Sequence, residues 1–177
     1  YTTRSEIEGI MKVELSGYLT KLENDYCLIS RNMPMFQKTN RNIHYQIEDN
    51  FLRIWFRYVY RYNYMLEVGA NKKLKIIMDR DYTTYTGKVL ERYFKSKMIE
   101  SELYTNISSW WDRKGENEID IIAADEIEQT VCFYEVNRQA KDVVIGIVKE
   151  KAEHFFQVTG KFKKYNIEFK GLSMEDM

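Results

Sequence analysis

Three carboxylates in the second half of the sequence have the setting of a chemical site. Asp120 interrupts the apolar run 119–122, and Glu135 closes the apolar run 131–134. A buried carboxylate without a partner is costly, so two of them on neighbouring strands call for a partner. A divalent cation, Mg²⁺ or Mn²⁺, is one such partner, because it binds a few carboxylates together with water and activates that water for phosphodiester hydrolysis. Glu91, on a predicted helix, would complete the set.

A purely structural interpretation of the same residues stays open. Asp120 and Glu135 could form ion pairs at a sheet edge with Lys114, Arg113 or Arg138. Such pairs contribute little to stability and need no cation. The spacing alone does not separate the two interpretations.

The elements expected around the carboxylates form a small domain over residues 81–177. Apolar residues at helical spacing predict a helix from Tyr82 to about Glu102, capped by Asp81 and carrying Glu91. We attribute its mid-helix Gly87 to a close packing contact, because glycine is unfavourable there. Strands at 107–111, 118–124 and 130–136, a helix at about 142–158 and a strand at 165–170 follow. This α-β-β-β-α-β order predicts a mixed sheet flanked by helices, in the α/β or α+β class.

Residues 1–80 predict a helix, a turn, a second helix and a hairpin. Thr3 and Glu6 form a capping box for a short helix that Gly9 ends. An apolar stripe at i, i+3, i+4 and i+7 marks a second helix within 13–26, and strand-like runs at 27–36 and 43–47 predict the hairpin. This is the order of a winged helix. The candidate DNA contacts, which could equally form a solvated face, are Lys12, Ser16, Lys21 and Arg41.

A further helix is expected from Asn50 to about Glu67, capped by Asp49. Its broad apolar face predicts a packing helix, and arginines at intervals of four form a second stripe: Arg53, Arg57 and Arg61. A short helix at about 74–78 then leads to the second domain.

Charge and hydropathy limit the classes of function. The 177 residues carry no net charge, but residues 1–80 have 13 Lys and Arg against 9 Asp and Glu, and residues 81–177 have 14 against 18. This distribution permits nucleic-acid contact by the first part without requiring it. No window approaches a membrane span, and we expect a cytoplasmic protein. The sequence leaves the oligomeric state open.

Several stretches, in this order, resemble the C-terminal region of a family of archaeal and bacterial AAA-type ATPases of unknown function. They are Phe51–Tyr60, Trp110–Gly115, Glu118–Ala123, Tyr134–Val136 and Leu172–Met177. The resemblance implies an upstream P-loop ATPase domain of the same protein, which alone would bind ATP, followed by a winged helix and a restriction-endonuclease-like domain of the PD-(D/E)xK type. Residues 1–177 contain no phosphate-binding Gly-rich Lys-Ser/Thr loop, so we expect no ATP hydrolysis by them.

In that nuclease pattern, Glu91 matches the helix carboxylate, Asp120 the metal-binding aspartate and Glu135 the acid of the E-x-K signature. Asn137 stands where the pattern has lysine, and it offers a hydrogen bond without charge. The departure favours a binding or regulatory role in the parent ATPase, with DNA as the partner. The alternative is an active Mg²⁺-dependent DNA endonuclease, in which Lys141 or Lys149 takes the place of the missing lysine. A third possibility is a structural interaction domain with Trp110–Trp111 as its contact patch.

Overall fold

The computed structural model of the protein describes residues 2–37 and 43–177, which separate into two compact units. The first unit contains the described residues up to Met33 and from Ile43 to Asp81. The second contains Pro34–Gln37 and Tyr82–Met177. The predicted metal-site carboxylates therefore all belong to the second unit.

The first unit opens with two short helices, α1 (Arg4–Met11) and α2 (Ser16–Asn24). The predicted capping box is confirmed, because Thr3 and Glu6 each accept a backbone hydrogen bond from the other. The predicted end of α1 at Gly9 is wrong: the helix continues to Met11, and its C-cap is Lys12, whose φ of 54° is left-handed. In α2 the buried stripe is narrower than the apolar pattern indicates, since Leu19 is buried while Tyr18 is 66% exposed.

Two antiparallel strands, β1 (Ile29–Asn32) and β2 (His44–Ile47), follow the helices and confirm the predicted hairpin. Ile29 lies opposite Ile47, and Asn32 opposite His44. The backbone of Thr2 also bridges to Tyr45 on β2, which ties the start of the chain to the hairpin. The identity of this helix-helix-hairpin unit as a winged helix stays a prediction.

The segment predicted as one packing helix consists of α3 (Asn50–Ile54), a π-helix (Trp55–Tyr60) and α4 (Asn63–Glu67). The cap by Asp49 is confirmed, because its carboxylate accepts the N–H of Leu52 at 2.7 Å. The predicted apolar packing face is wrong: Tyr58 is buried, but Phe51 is 65% and Tyr60 is 70% exposed. A π-helix has more residues per turn than an α-helix. The aromatic residues after Trp55 therefore do not lie on the single face that a 3.6-residue period predicts.

The helix α5 runs without interruption from Asn71 to Glu100 and replaces the two helices predicted there. Asp81 lies inside it and caps nothing; its carboxylate pairs with Arg80 at 2.8 Å and lies 3.9 Å from Arg57. The packing contact predicted for Gly87 is also wrong, because no described atom lies within 4 Å of the place its Cβ would take.

The second unit is a mixed four-stranded sheet with helices, so the chain is an α+β protein. The strands are β3 (Asn106–Trp111), β4 (Glu118–Asp125), β5 (Thr130–Val136) and β6 (Asn166–Leu172), in that order across the sheet. The first three are antiparallel, and β6 runs parallel to β5 after the crossover helix α6 (Ile145–Thr159). The predicted α-β-β-β-α-β order is confirmed. The start of α6 is later than predicted because residues Ala140–Asp142 form a separate 3₁₀ turn.

Two apolar clusters hold the sheet between its helices. Leu90 and Phe94 of α5 pack against one set of strand residues, Ile121, Ala123, Cys132, Tyr134 and Val136. Val148, Ala152 and Phe155 of α6 pack against the other set, Trp110, Ile119, Ile122, Ala124, Val131 and Phe133. Trp110 and Trp111 are 3% and 8% exposed, so the contact patch proposed for them is wrong. Among the described helices, none combines the length and the apolar character needed to cross a membrane.

Candidate metal centre

A bulge in β4 determines where Asp120 lies. Ser108 pairs with Ile122 and Trp110 with Ile119, so Asp120 and Ile121 together stand opposite the single residue Ser109. One extra residue shifts the alternation of a strand. Ile119 and Ile122, three positions apart, accordingly pack in the same cluster. Without the bulge, strict alternation would not place both of them on one face.

The bulge brings Asp120 to the carboxylates of two other residues. Carboxylate oxygens of Glu91 on α5, Glu118 at the start of β4 and Asp120 all lie within 4.8 Å of one another. Glu91 and Asp120 are 8% and 9% exposed, whereas the Glu118 side chain is 41% exposed. The three residues, called the carboxylate triad below, offer the hard oxygen ligands that Mg²⁺ and Mn²⁺ prefer. Glu118 was not among the residues selected from the sequence.

The electrostatics of the triad are those of crowded, poorly solvated acids. Burial raises the pKa of Glu91 to about 7, and the nearby charge of Asp120 adds to the rise. Burial likewise raises the pKa of Asp120 to about 6, against the opposing effect of a hydrogen bond from the Val136 N–H to Oδ2 at 2.9 Å. Ile121 and Tyr134 form the last backbone pair between β4 and β5 at this end of the sheet. Just beyond that pair, the side chain of Asp120 replaces a backbone partner for Val136. A bound cation would stabilise the ionised form of these carboxylates, because it offsets their mutual repulsion.

Glu135 is not part of the triad and has its own partner. Its Oε2 accepts from the ammonium of Lys151 on α6 at 3.2 Å, and the two side chains are 18% and 22% exposed. The charge of Glu135 contributes to the raised pKa of Asp120. The structure thus brings Glu91 and Asp120 together with Glu118, while Glu135 is outside that group of carboxylates. The role of Glu135 as a metal ligand stays a prediction.

Asn137 does not face the carboxylates. Its side-chain amide donates to the backbone oxygen of Asp142 at 3.0 Å, in the turn before α6. The lysines suggested as its substitutes lie elsewhere: Lys149 stacks 5.7 Å from the Phe169 ring centre, and Lys141 is exposed. Arg138 stacks on Tyr82 at 4.7 Å. The lysine that contacts Glu135 is Lys151, which the sequence did not single out.

Two lysines of α5 complete the surroundings. Lys88 lies 3.0 Å from Glu91 and 3.1 Å from Glu118. Lys95 donates to the hydroxyl of Ser109, and that hydroxyl donates to the backbone oxygen of Asp120. Burial lowers the pKa of Lys95, while the charges of Glu91 and Asp120 oppose that change. The i,i+3 spacing of Lys88 and Glu91 was visible in the sequence, but the approach of Lys95 to the bulge was not.

The DNA-contact candidates of the first unit lie on and beside its helices. Lys12 caps the end of α1, and Lys21 is exposed in the last turn of α2. Ser16 is the first residue of α2, and its hydroxyl donates a hydrogen bond to the carboxylate of Glu14. Arg41 lies outside the described residues. Their role as DNA contacts stays a prediction.

The fold and site define an α+β protein with a carboxylate cluster at the bulged end of a mixed sheet. Residues 55–154 match the model of the DUF234 family, described as archaeal and bacterial proteins of unknown function, and the chain belongs to this family. It is also 31% identical over 137 residues to an uncharacterized protein of Methanocaldococcus jannaschii, a match that covers 72% of this chain and 30% of the relative. The chain thus spans less than a third of that relative. No solved structure matches the chain.

Proposed function

We propose that the second unit is a nuclease-like domain that binds a divalent cation and hydrolyses phosphodiester bonds of DNA. The observation that carries the proposal is the convergence of Glu91, Glu118 and Asp120 within 4.8 Å. Their oxygens and raised pKa values suit Mg²⁺ or Mn²⁺, and Asp120 and Glu91 would hold the ion with Glu118 at the open side. When bound, such a cation activates water and neutralises charge on the phosphate.

The missing lysine of the E-x-K signature does not rule out this chemistry. Phosphodiester cleavage develops negative charge, which a fixed ammonium stabilises. Lys151 holds an ammonium 3.2 Å from Glu135, and in this proposal a lysine from α6 would supply the charge that Asn137 lacks. This is the specific support for activity over mere binding.

A second candidate function is DNA binding or regulation without cleavage. Asn137 is engaged by the backbone of Asp142, and Lys88 already pairs with two of the three triad carboxylates. A site whose charges are satisfied within the protein can persist after its catalytic use has ended. Binding without cleavage is the observable that favours this candidate.

The wider context of both candidates is the C-terminal region of an AAA-type ATPase. It is supported by the resemblance of the sequence to such proteins and by a relative of which this chain covers only 30%. ATP would then bind upstream of these residues. The helices and hairpin of the first unit would act as a winged helix that contacts DNA through Lys12, Ser16, Lys21 and Arg41.

The test is cleavage of plasmid and single-stranded DNA by the purified chain with Mn²⁺, with Mg²⁺ and with a chelator. Asp120→Asn removes a triad charge, and Asp125→Asn, at the far end of the same strand β4, is the matched control. We expect metal-dependent cleavage that only Asp120→Asn abolishes. DNA binding without cleavage would instead establish the second candidate, and neither binding nor cleavage would contradict both.

A further inference from the structure

Lys88 occupies part of the site that the proposed cation would take. Its ammonium bridges Oε1 of Glu91 at 3.0 Å and Oε1 of Glu118 at 3.1 Å. Glu91 and Glu118 are two of the three carboxylates of the triad. The cluster therefore already holds one positive charge, supplied by the helix that carries Glu91.

An ammonium and a divalent cation cannot share these carboxylates without a large repulsion. Two cations bound to the same oxygen atoms would lie only a few ångströms apart in a poorly solvated site, where charges interact strongly. The ammonium also donates to the same carboxylates that a metal ion would bind, so the two compete for them. Lys88 therefore opposes binding of a metal ion by the triad, and binding is favoured when Lys88 leaves.

The side chain of Lys88 is able to leave. It is 35% exposed, and a lysine has a flexible four-carbon stem that carries its ammonium readily into water. By contrast Lys95, from the same helix, is partly buried and hydrogen-bonded to Ser109. Of these two α5 lysines, Lys88 is the one placed to exchange with a metal ion.

We propose that Lys88 is a built-in competitor for the divalent cation, an ammonium that partly offsets the charge of the triad in the metal-free protein and is displaced when the metal ion binds. The proposal rests on the proposed function, because it concerns the regulation of the same site. Its consequence is that Lys88 weakens metal binding, so the site fills only where the free cation concentration is high enough to expel the ammonium.

α5 contains a matched control for this contact. Lys97 and Glu100 form the same i,i+3 pair at 2.8 Å, with side chains 56% and 62% exposed and no part in the triad. Any general effect of removing a lysine from α5 on helix stability or net charge should appear at Lys97 as well.

The first test uses the unaltered chain. Its lysines are acylated with a water-soluble reagent, with and without Mn²⁺, and the rate at each lysine is read by mass spectrometry. Displacement predicts that Mn²⁺ raises acylation of Lys88 severalfold and leaves Lys97 unchanged. An unchanged or slower rate at Lys88, under conditions where Mn²⁺ binds, would overturn the proposal.

The second test is calorimetric titration of Mn²⁺ into Lys88→Met, Lys88→Arg and Lys97→Met. Lys88→Met removes the ion pairs of Lys88 with Glu91 and Glu118, so Mn²⁺ no longer has to displace the ammonium. We expect Mn²⁺ to bind this variant roughly five- to tenfold more tightly. Lys88→Arg, which keeps the charge, and Lys97→Met should bind as the unaltered chain does. Equal affinity of Lys88→Met and the unaltered chain would refute the competition while leaving the metal site intact. Absence of Mn²⁺ binding by every variant would refute the proposed function itself.

Discussion

The ammonium of Lys151 lies 3.2 Å from the carboxylate of Glu135 and joins helix α6 to strand β5. Glu135 and Asn137 are two positions apart on the chain, yet Asn137 bonds the turn at Asp142. The charge expected on β5 therefore comes from α6, through packing of the helix on the sheet.

Replacing Lys151 should separate binding from catalysis. In Lys151→Met we expect Mn²⁺ affinity to stay close to that of the unaltered chain, because the triad keeps its ligands. DNA cleavage should fall roughly a hundredfold, the usual effect of removing one group that stabilises developing charge. Single-turnover cleavage assays beside Mn²⁺ titrations measure the two effects. Lys149→Met, on the same helix with its ammonium near Phe169, is the control and should cleave normally; equal activity of both variants would make Lys151 a structural ion pair.

The acids of the triad should make stability fall as pH rises in the metal-free protein. The pKa of Glu91 is raised in the folded state from 4.5 to about 7, so folding favours its protonated form. Its contribution is fully present below about pH 4.5 and is lost as pH rises through about 7. The loss is on the order of 3 kcal/mol, since one pKa unit corresponds to about 1.4 kcal/mol.

Glu91→Gln tests this sign, because glutamine resembles the protonated acid at every pH. Urea unfolding in a chelator should show that the variant gains stability relative to the unaltered chain between about pH 5 and pH 8. Glu100→Gln, on the exposed face of α5, should show no such pH-dependent gain. A constant difference between Glu91→Gln and the unaltered chain across this range would mean that Glu91 titrates normally.

Two glycines of the second unit should respond oppositely to alanine. Nothing described lies near a Cβ at Gly87 in the middle of α5, so Gly87→Ala should stabilise the protein by about 1 kcal/mol. At Gly171 on β6 the added Cβ would fall on Cγ1 of Val143 and lie 3.2 Å from its Cβ, so Gly171→Ala should destabilise by roughly 1–3 kcal/mol. Thermal unfolding of both variants measures these two changes in stability. A Gly171→Ala variant more stable than the unaltered chain would show that Val143 moves aside without cost.

The hydroxyl of Ser109 should matter to both stability and metal binding. It accepts from Lys95 and donates to the backbone of Asp120 at the bulge. Ser109→Ala removes a partner from the partly buried ammonium of Lys95, which costs on the order of 1–3 kcal/mol. Because the same hydroxyl fixes the bulge, Mn²⁺ affinity should fall too. Ser108→Ala is the control at the adjacent position. Equal stability and equal Mn²⁺ affinity of the two variants would show that the Ser109 hydroxyl has no special role at the bulge.

The sequence predicted the order of the second unit because β4 and β5 are strongly apolar runs with clear turns between them. Asp120 and Glu135 were recognisable for the same reason, as carboxylates inside apolar runs. The continuity of α5 was missed because Asp81 has the appearance of a helix cap. In the structure this position is helical, and the carboxylate pairs with neighbouring arginines.

The rest of the site depends on tertiary packing that periodicity does not express. The bulge opposite Ser109 changes the alternation of β4, and no residue type in that strand marks it. Glu118 begins the strand, where a charged residue is ordinarily solvated, so its part in the triad was not predicted. Lys151 reaches Glu135 only because α6 lies against β5, which its spacing along α6 does not show.

The central claim is that the triad binds a divalent cation, and calorimetric titration of Mn²⁺ tests it most directly. At about pH 8, where the triad is ionised, the chain should bind about one ion per molecule. Asp120→Asn should weaken binding by at least about tenfold, and Asp125→Asn should not change it. Absence of Mn²⁺ binding by the unaltered chain, or equal affinity in Asp120→Asn, would contradict the account.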